Sequence, residues 1–367
     1  MKDKKQIIKE IAEKNGIKII GFTTVTEYNY LEQLLIERKK MSYNNELEEQ
    51  DLNRRLSAKN IFPECKSIIA IGVPYAAGYK KPYVKDRGLL SISSYNDDYH
   101  NILKKLLNSF AEKINIYFPF KYKICVDTSP LIDREICKNA GIGSYGKNSL
   151  LIHEEWGSFI FLGYILTNLE IDSDSNNLNN DDICTNCTIC IKSCPNGAIL
   201  NNGGINTKKC ISYLTQTKTY IPVEYRKSMS NQIYGCDICQ LVCPKNKKNL
   251  DKEVLYDYNR LTVDLKEMMN MTNNDFKGKY GHIAGSWRGK NIWKRNSIIS
   301  ITNLGLNSMF EAVKKELENP SDMIKIYAAW SILTLNRHKA CDILHNNFKY
   351  ENAMIVKEYK KLMEEET

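Results

Sequence analysis

Cys184-Thr-Asn-Cys187-Thr-Ile-Cys190-Ile-Lys-Ser-Cys194-Pro195 decides how this chain is read. The spacing is C-x2-C-x2-C-x3-C-P, the run with which bacterial two-cluster ferredoxins hold iron–sulfur cubanes. A second set, Cys236-Asp-Ile-Cys239-Gln-Leu-Val-Cys243-Pro244, follows it, with Cys210 upstream as a further thiolate. A cubane needs four thiolates converging on one point. One tight loop supplies three, and in two-cluster proteins the fourth comes from the other motif. The spacing therefore predicts one [4Fe-4S] cluster on Cys184, Cys187, Cys190 and Cys243, and a second on Cys194, Cys210, Cys236 and Cys239. Such a protein moves single electrons.

Zinc is the alternative for the same thiolates, but zinc ribbons use paired C-x2-C knuckles without a third cysteine two residues on and a fourth before proline. Disulfides are the weaker reading, because C-x2-C in a chain without a signal segment points to metal or redox work. Cys65, Cys125, Cys137 and Cys341 are scattered and read as small buried hydrophobes.

The remaining composition sets bounds. At 367 residues and 43% hydrophobic content the chain can hold two or three domains. No run approaches the roughly 18 apolar residues of a membrane span. The first residues, Met1-Lys-Asp-Lys-Lys-Gln-Ile-Ile-Lys-Glu-Ile, start a charged amphipathic helix with no apolar h-region or twin arginine. A cytoplasmic protein with no membrane partner is expected. The net charge of +9 suits a polyanionic partner, since Lys and Arg release counterions from phosphates. A solvated lysine-rich surface gives the same total, so the clustering of the charges must decide.

Residues 1–170 alternate helical and strand patterns. A helix over 3–15 leads to a strand at Ile17 to Phe22, and a polar helical stretch follows over 26–41. Cys65 to Val73 reads as a buried strand. Tyr99 to Ile116 reads as an amphipathic helix with Ile102, Leu103, Leu106, Leu107 and Phe110 on one face. Tyr122 to Val126 is a strand. Ser129 and Pro130 read as the N-cap and first turn of a helix to Asn139, closed by Gly141. Ser149 to His153 and Ser158 to Thr167 are further apolar runs. This is an α/β (α+β) domain, a sheet with helices on its faces. Residues 171–182 read as a polar linker, 183–255 as a ferredoxin-like two-cluster domain, and 256–367 as an all-α domain. Helices alone are expected from about 262. Their apolar stripes, at Lys294 to Leu304, Met309 to Leu317, Met323 to Leu335 and Cys341 to Phe348, with the Ile326-Tyr-Ala-Ala-Trp330 core, resemble HEAT-type repeats. A plain helical bundle is the alternative.

The first domain lacks a dinucleotide fingerprint. Ala140-Gly-Ile-Gly-Ser-Tyr-Gly-Lys-Asn148 is glycine-rich but follows a helix, so it fails the structural test for one. It would let backbone approach a bulky ligand. Asp127 stands at a strand end before a helix. Ligands gather at the carboxyl ends of strands in open α/β sheets, although an aspartate beside a helix N-terminus is also explained by the dipole. His153 follows a strand and reads as either a ligand or a wall residue. His100, at a helix start, reads as structural.

The ordered motifs resemble the epoxyqueuosine reductase family. They are Ile19-Ile-Gly-Phe-Thr-Thr24, Val126-Asp-Thr-Ser-Pro130, Asp133-Arg134, the Ala140–Asn148 loop, Gly157-Ser-Phe with Leu162-Gly, and the two cysteine sets. Cys210-Ile-Ser-Tyr-Leu-Thr-Gln-Thr-Lys218, Tyr234-Gly-Cys-Asp-Ile-Cys239 and Gly281-His-Ile-Ala-Gly-Ser-Trp-Arg-Gly-Lys290 complete the series. The resemblance runs from near residue 5 into the C-terminal repeats.

It implies an enzyme that reduces epoxyqueuosine to queuosine in tRNA, the last step of queuosine biosynthesis. Electrons would pass through the two clusters to cobalamin bound in the first domain. Asp127 would match the proton donor, and burial would be needed to lift its carboxyl into a useful range. Arg55, Lys147, Leu151, His153 and Leu162 fall in segments that line the corrin, with Ser212 and Gln216 approaching from the cluster side. Ser91, in Gly88-Leu-Leu-Ser-Ile, stands where the family often has cysteine, and Ser144 where an aromatic residue is frequent. Lys218, Arg288, Lys290, Lys294 and Arg295 would meet the tRNA backbone. A low-potential donor such as a flavodoxin, ferredoxin or reductase is implied, and a monomer is expected. A reductive dehalogenase and a ferredoxin-like carrier fused to an interaction domain are the rival readings. An export signal would favour the first, and the lack of a ligand-sized α/β domain the second.

Overall fold

The structure is a computed structural model that describes residues 3–174, 183–347 and 351–364. Most of the expected linker, residues 175–182, lies outside the described residues. The chain forms two compact units that do not follow chain order. Residues 1–80, 97–208 and 237–255 make one, and residues 81–96, 209–236 and 256–367 the other. The expected division at 170, 182 and 255 differs because short strands from three distant segments pair within the second unit.

In the first unit four strands lie in the order Ile19–Thr24, Ser67–Pro74, Ile160–Thr167, Tyr122–Val126. All pairs are antiparallel. The sheet is therefore the α+β member of the expected pair, and the rule that places ligands at the carboxyl ends of parallel strands does not locate Asp127. The strand Ser-Ile-Ile-Ala-Ile-Gly-Val-Pro is apolar without alternation because both faces are covered. Ile68 and Ala70 enter one core with Cys125, Ile136, Cys137 and Tyr164. Ile69 and Ile71 enter the other with Leu103, Leu107, Phe110 and Ile114.

Those last four residues belong to the helix Tyr99–Tyr117, capped by the Asp98 side chain, which accepts from the His100 amide at 3.0 Å. The stripe is narrower than expected, since Ile102 is 43% exposed. On the opposite face the helix Asp133–Asn139 packs close to the sheet, and a β-carbon on Gly21 would sit 1.8 Å from the Ala140 carbonyl oxygen. This helix starts later than the expected Ser129–Pro130 cap. Ser129 is occupied elsewhere, with Oγ accepting from the Leu131 amide at 3.2 Å and lying 2.8 Å from the Tyr164 hydroxyl.

The second unit contains a sheet that the sequence reading missed. Arg87–Leu90 pairs in parallel with Gln232–Tyr234 and antiparallel with Thr262–Asp264, so the segment from 262 is not helical throughout. The helix Lys290–Asn303 packs against the strand Gln232–Tyr234, and Asp322–Leu335 packs on that helix in turn; both are mostly buried. The first is buried all round from Ile292 to Thr302, so it is a core helix and not an amphipathic stripe. Lys294 and Arg295 are on it. Lys294 is 6% exposed, pairs with Glu316 at 2.7 Å and donates to the Met269 carbonyl. Arg295 is fully enclosed and donates to the Leu214 and Thr217 carbonyls at 2.8 and 2.6 Å. Neither presents charge to solvent, which removes both from the expected tRNA surface. Among the described residues no helix is long and apolar enough to cross a membrane.

Replacing Arg295 by Leu should lower unfolding free energy by about 3 kcal/mol, because the carbonyls it serves stay buried without donors. Urea denaturation reads this directly, and an unchanged midpoint would show that the guanidinium is not what satisfies them.

Candidate active site and cluster ligands

Asp127 follows the last residue of the strand Tyr122–Val126 and has φ +43°, a conformation few non-glycine residues adopt. The turn is closed by the Thr128 amide donating to the Val126 carbonyl. Asp127 Oδ2 accepts from the Tyr99 hydroxyl at 2.6 Å and lies 3.0 Å from His100 Nε2. His100 Nδ1 lies 2.6 Å from Asp98 Oδ1. The Asp127 side chain stays 57% exposed.

Desolvation pushes the Asp127 carboxyl up, but the bonds from His100 and Tyr99 outweigh it and hold it below the ordinary value. This is opposite in direction to the lift that the donor role was expected to need. Desolvation of the His100 ring lowers its pKa, and the carboxylates of Asp127 and Asp98 more than reverse this and raise it. His100 is thus brought into the site, where the sequence reading had left it structural. Tyr99 was not singled out at all.

A second carboxyl lies behind the first. Asp133 accepts from the Tyr164 hydroxyl at 2.7 Å. Burial, followed by the Asp127 charge, pushes it up to about 8 despite the Tyr164 bond and Arg134. Arg134 donates to the Ser149 carbonyl.

In the first set, the thiols of Cys190 and Cys243 each lie near those of Cys184 and Cys187. Burial raises Cys190, and the neighbouring Cys184, Cys243 and Cys187 raise it further. Cys243 is raised by burial and then by Cys184 and Cys187. Among the described residues no three His, Cys, Asp or Glu side chains close around a single ion. A cubane needs a wider set, because the cluster itself lies between the sulfurs. Cys184 Sγ accepts from the Lys147 amide at 3.4 Å, and Cys194 Sγ from the Ala198 amide at 3.3 Å. Of the second set, Cys194 and Cys239 belong to the first unit, and Cys210 and Cys236 to the second.

The other expected site residues separate into engaged and available groups. Arg55 pairs with Glu48 at 3.2 Å and lines a hollow of about 420 Å³ with Arg38. The Lys147 ammonium donates to the Thr185 carbonyl at 2.6 Å, so it serves the cluster loop. Leu151 is 2% exposed in the sheet core and offers no surface to a ligand. Ser91 is buried too, its amide donating to the Tyr234 carbonyl, and a β-carbon on Gly235 would lie 2.5 Å from its own Cβ. Leu162 is partly buried at the edge of the core. His153 Nδ1 accepts from the Glu155 and Trp156 amides at 3.1 and 3.3 Å, which leaves the ring proton on Nε2. Burial lowers its pKa, which favours this neutral form. In the second unit the Gln216 amide donates to the Ser212 carbonyl at 2.9 Å and accepts from the Trp287 indole at 3.3 Å. Arg288 donates to the Gln216 carbonyl. Lys290 donates to the Met271 carbonyl at 3.2 Å, and Lys218 is exposed. The glycine-rich loop approaches its own chain, since a β-carbon on Gly143 would meet the Ile152 carbonyl oxygen at 2.5 Å.

Iron–sulfur clusters, which cysteines so spaced would hold, pass electrons singly, and a carboxylate backed by further proton-bearing groups would serve the proton side of a reduction. The class is an iron–sulfur oxidoreductase. Residues 183–246 match the family described as a 4Fe-4S double cluster binding domain, and residues 55–128 match epoxyqueuosine reductase QueG, DUF1730. The epoxyqueuosine reductase of Lactococcus garvieae is 37% identical, covering 92% of this chain and 98% of that protein. A crystal structure of epoxyqueuosine reductase with a tRNA-Tyr epoxyqueuosine-modified stem loop superposes with a TM-score of 0.91 at 32% identity, over 99% of both chains. A Bacillus subtilis epoxyqueuosine reductase, described with its catalytic aspartate loop swung out of the active site, gives 0.90 at 31% over 99% of both. The chain belongs to the epoxyqueuosine reductase family.

Two outcomes are expected. Asp133 has a folded pKa above its unfolded value, so its protonated form favours the fold. That stabilisation is complete below about pH 4 and is lost as pH rises through about 8. Melting temperatures of Asp133→Asn should therefore lose this downward slope, and a parallel pH dependence in both proteins would disprove the assignment. Cys243→Ser should cut the iron of the reconstituted protein by roughly half, since one cubane of two loses a ligand. Full iron retention would remove Cys243 from the set.

Proposed function

We propose that this chain reduces epoxyqueuosine to queuosine in tRNA, with Asp127 delivering a proton to the departing epoxide oxygen. Family membership at high coverage supports the reaction. The observation that supports the role of Asp127 is its position, a half-exposed carboxylate on a strained strand end, held on one oxygen by Tyr99 and His100. Conversion of an epoxide to an alkene releases one oxygen as water and consumes two electrons and two protons.

The chemistry of the residues fits the groups this reaction needs. A corrin is a flat apolar ring rimmed with amides, and in the first unit His153, a neutral ring with Nε2–H, and the partly buried Leu162 suit its rim and its face. Leu151 and Lys147 are engaged elsewhere and are not needed for it. The eight motif cysteines would hold two [4Fe-4S] clusters. Bound together, the clusters and cobalamin supply the low-potential electrons that the side chains cannot. The protein's part is to hold the substrate, hold Asp127 and manage protons.

For the tRNA, Lys218, Arg288 and Lys290 remain as candidate contacts and the two enclosed cations do not. Phosphate contacts fix the register of the anticodon stem loop, and the modified base leaves the stack to reach the reacting centre. The helices after Asp264 are read as HEAT-like, the first domain as the cobalamin domain, and the protein as a cytoplasmic monomer fed by a flavodoxin- or ferredoxin-type donor.

The test is nucleoside analysis after incubating anaerobically reconstituted protein with reductant and an epoxyqueuosine-bearing stem loop. Queuosine should appear, lighter by one oxygen. Asp127→Asn should keep its iron and cobalamin absorption and lose about 10²- to 10⁴-fold in rate. Turnover by that variant at the normal rate would exclude Asp127 as the donor.

A further inference from the structure

The proton requirement exceeds what one carboxyl can carry. Two protons are consumed in each reduction, and the hydrogen bonds that hold Asp127 favour its ionised form. A proton must therefore reach Asp127 before it can leave, and the groups in contact with it define the route. Tyr99 and His100 are those groups, both on Oδ2. A phenol ordinarily titrates near 10 and an imidazole near 6.5, so only the ring exchanges protons readily at neutral pH.

The ring is built for this. Nδ1 faces Asp98 and Nε2 faces Asp127, at 2.6 and 3.0 Å. A neutral imidazole carries one N–H and can satisfy only one of two carboxylates, whereas the imidazolium satisfies both. Asp98 is itself fixed as the cap of the helix Tyr99–Tyr117. The ring plane is held by a stack of four aromatic groups. Centroids are 4.1 Å apart from Tyr75 to Phe161, 4.3 Å from Phe161 to Tyr99 and 4.0 Å from Tyr99 to His100, with neighbouring planes within 27° of parallel. Phe161 belongs to a central strand, so the imidazole is referenced to the sheet that also carries Asp127.

We propose that His100 is the relay that reloads Asp127 with protons, oriented by Asp98 and by the aromatic stack. The proposal rests on the reaction assigned above. In each step the Nε2–H bond breaks and an O–H bond forms on Asp127. A half-turn of the carboxyl then presents the loaded oxygen to the epoxide oxygen, and the neutral ring regains a proton from water. Two such transfers, with two electrons from the bound cofactors, balance the loss of one water. Asp98, Asp127 and Tyr99 are the titratable groups against the ring, and Arg134 and Asp133 act on it through Asp127. His100 is a positioning and relay residue. The reacting atom is reached by Asp127.

Two measurements test this. In protein without cofactors, NMR of labelled histidine should show one ring titrating above the ordinary value, absent in His100→Gln and shifted down in Asp127→Asn and in Asp98→Asn. Asparagine at 98 keeps the helix cap, so folding is preserved. In the loaded enzyme, single-turnover rates should fall as pH rises through the His100 pKa. His100→Gln should be slower by about 100-fold, lose that pH dependence and leave KM for the stem loop unchanged. Wild-type rate and pH profile in His100→Gln would overturn the relay while leaving the reaction intact. A loss equal at every pH with a raised KM would also overturn it, as the mark of a structural role. A histidine set with no raised pKa does the same. Failure of the wild type to make queuosine at any pH overturns the assigned reaction, and the relay with it.

Discussion

The contact between His100 Nε2 and Asp127 Oδ2, 3.0 Å long, exists because two apolar packing problems are solved together. His100 is placed by the first turn of a helix whose Leu103, Leu107, Phe110 and Ile114 seal one face of the sheet. Asp127 is placed by an edge strand, Tyr122–Val126, that pairs with Ile160–Thr167 through Val126 opposite Gly163. Neither polar residue contributes much to the core; each is positioned by the packed element next to it. The left-handed backbone at Asp127 costs about 1–3 kcal/mol, and packing on both sides of the sheet holds it there.

Two neighbouring aspartates are driven in opposite directions by their surroundings. Asp127 has a half-exposed carboxylate with two donors and stays ionised. Asp133 is partly buried, bonded to Tyr164 and pushed up to about 8, which favours its uncharged form. This separation is a common way for one site to hold an acid and a base together. Here it also limits the negative charge facing a substrate whose phosphates are already anionic.

What could be read from the sequence depended on how local each feature is. The double-cluster domain over residues 183–246 was legible because Cys184, Cys187, Cys190 and Cys194 lie in one loop and Cys236, Cys239 and Cys243 carry their own motif. The strand Tyr122–Val126 and the helix from Tyr99 were legible from period and cap. His100 was not, because its helix-start position accounts for it locally, and nothing within that helix shows that a strand end 27 residues away arrives beside it. Lys294 and Arg295 misled for the same reason. A cation next to an apolar stripe reads as surface, and Arg295 is enclosed only because carbonyls 78 and 81 residues distant close over it. The strand Thr262–Asp264 was too short to show a period of two. The direction of the sheet was also hidden, since runs buried on both faces read alike in parallel and antiparallel sheets.

The electron and proton supplies also depend on the same unit in different ways. The first four thiols and Asp127 all belong to it, and the Lys147 amide, in the turn that leads to the strand Leu151–Ile152, donates to Cys184 Sγ. Hydrogen bonds to the sulfurs help set the potential of a cluster, so with a cluster held there this backbone turn would adjust the energy at which electrons are delivered. Gly143 is a glycine because its turn lies against the Ile152 backbone, where a β-carbon would collide. The glycine-rich loop that looked like a ligand cradle thus has a structural duty, which is to hold an amide against a thiolate. Its sequence is constrained by the neighbouring strand before any cofactor is bound.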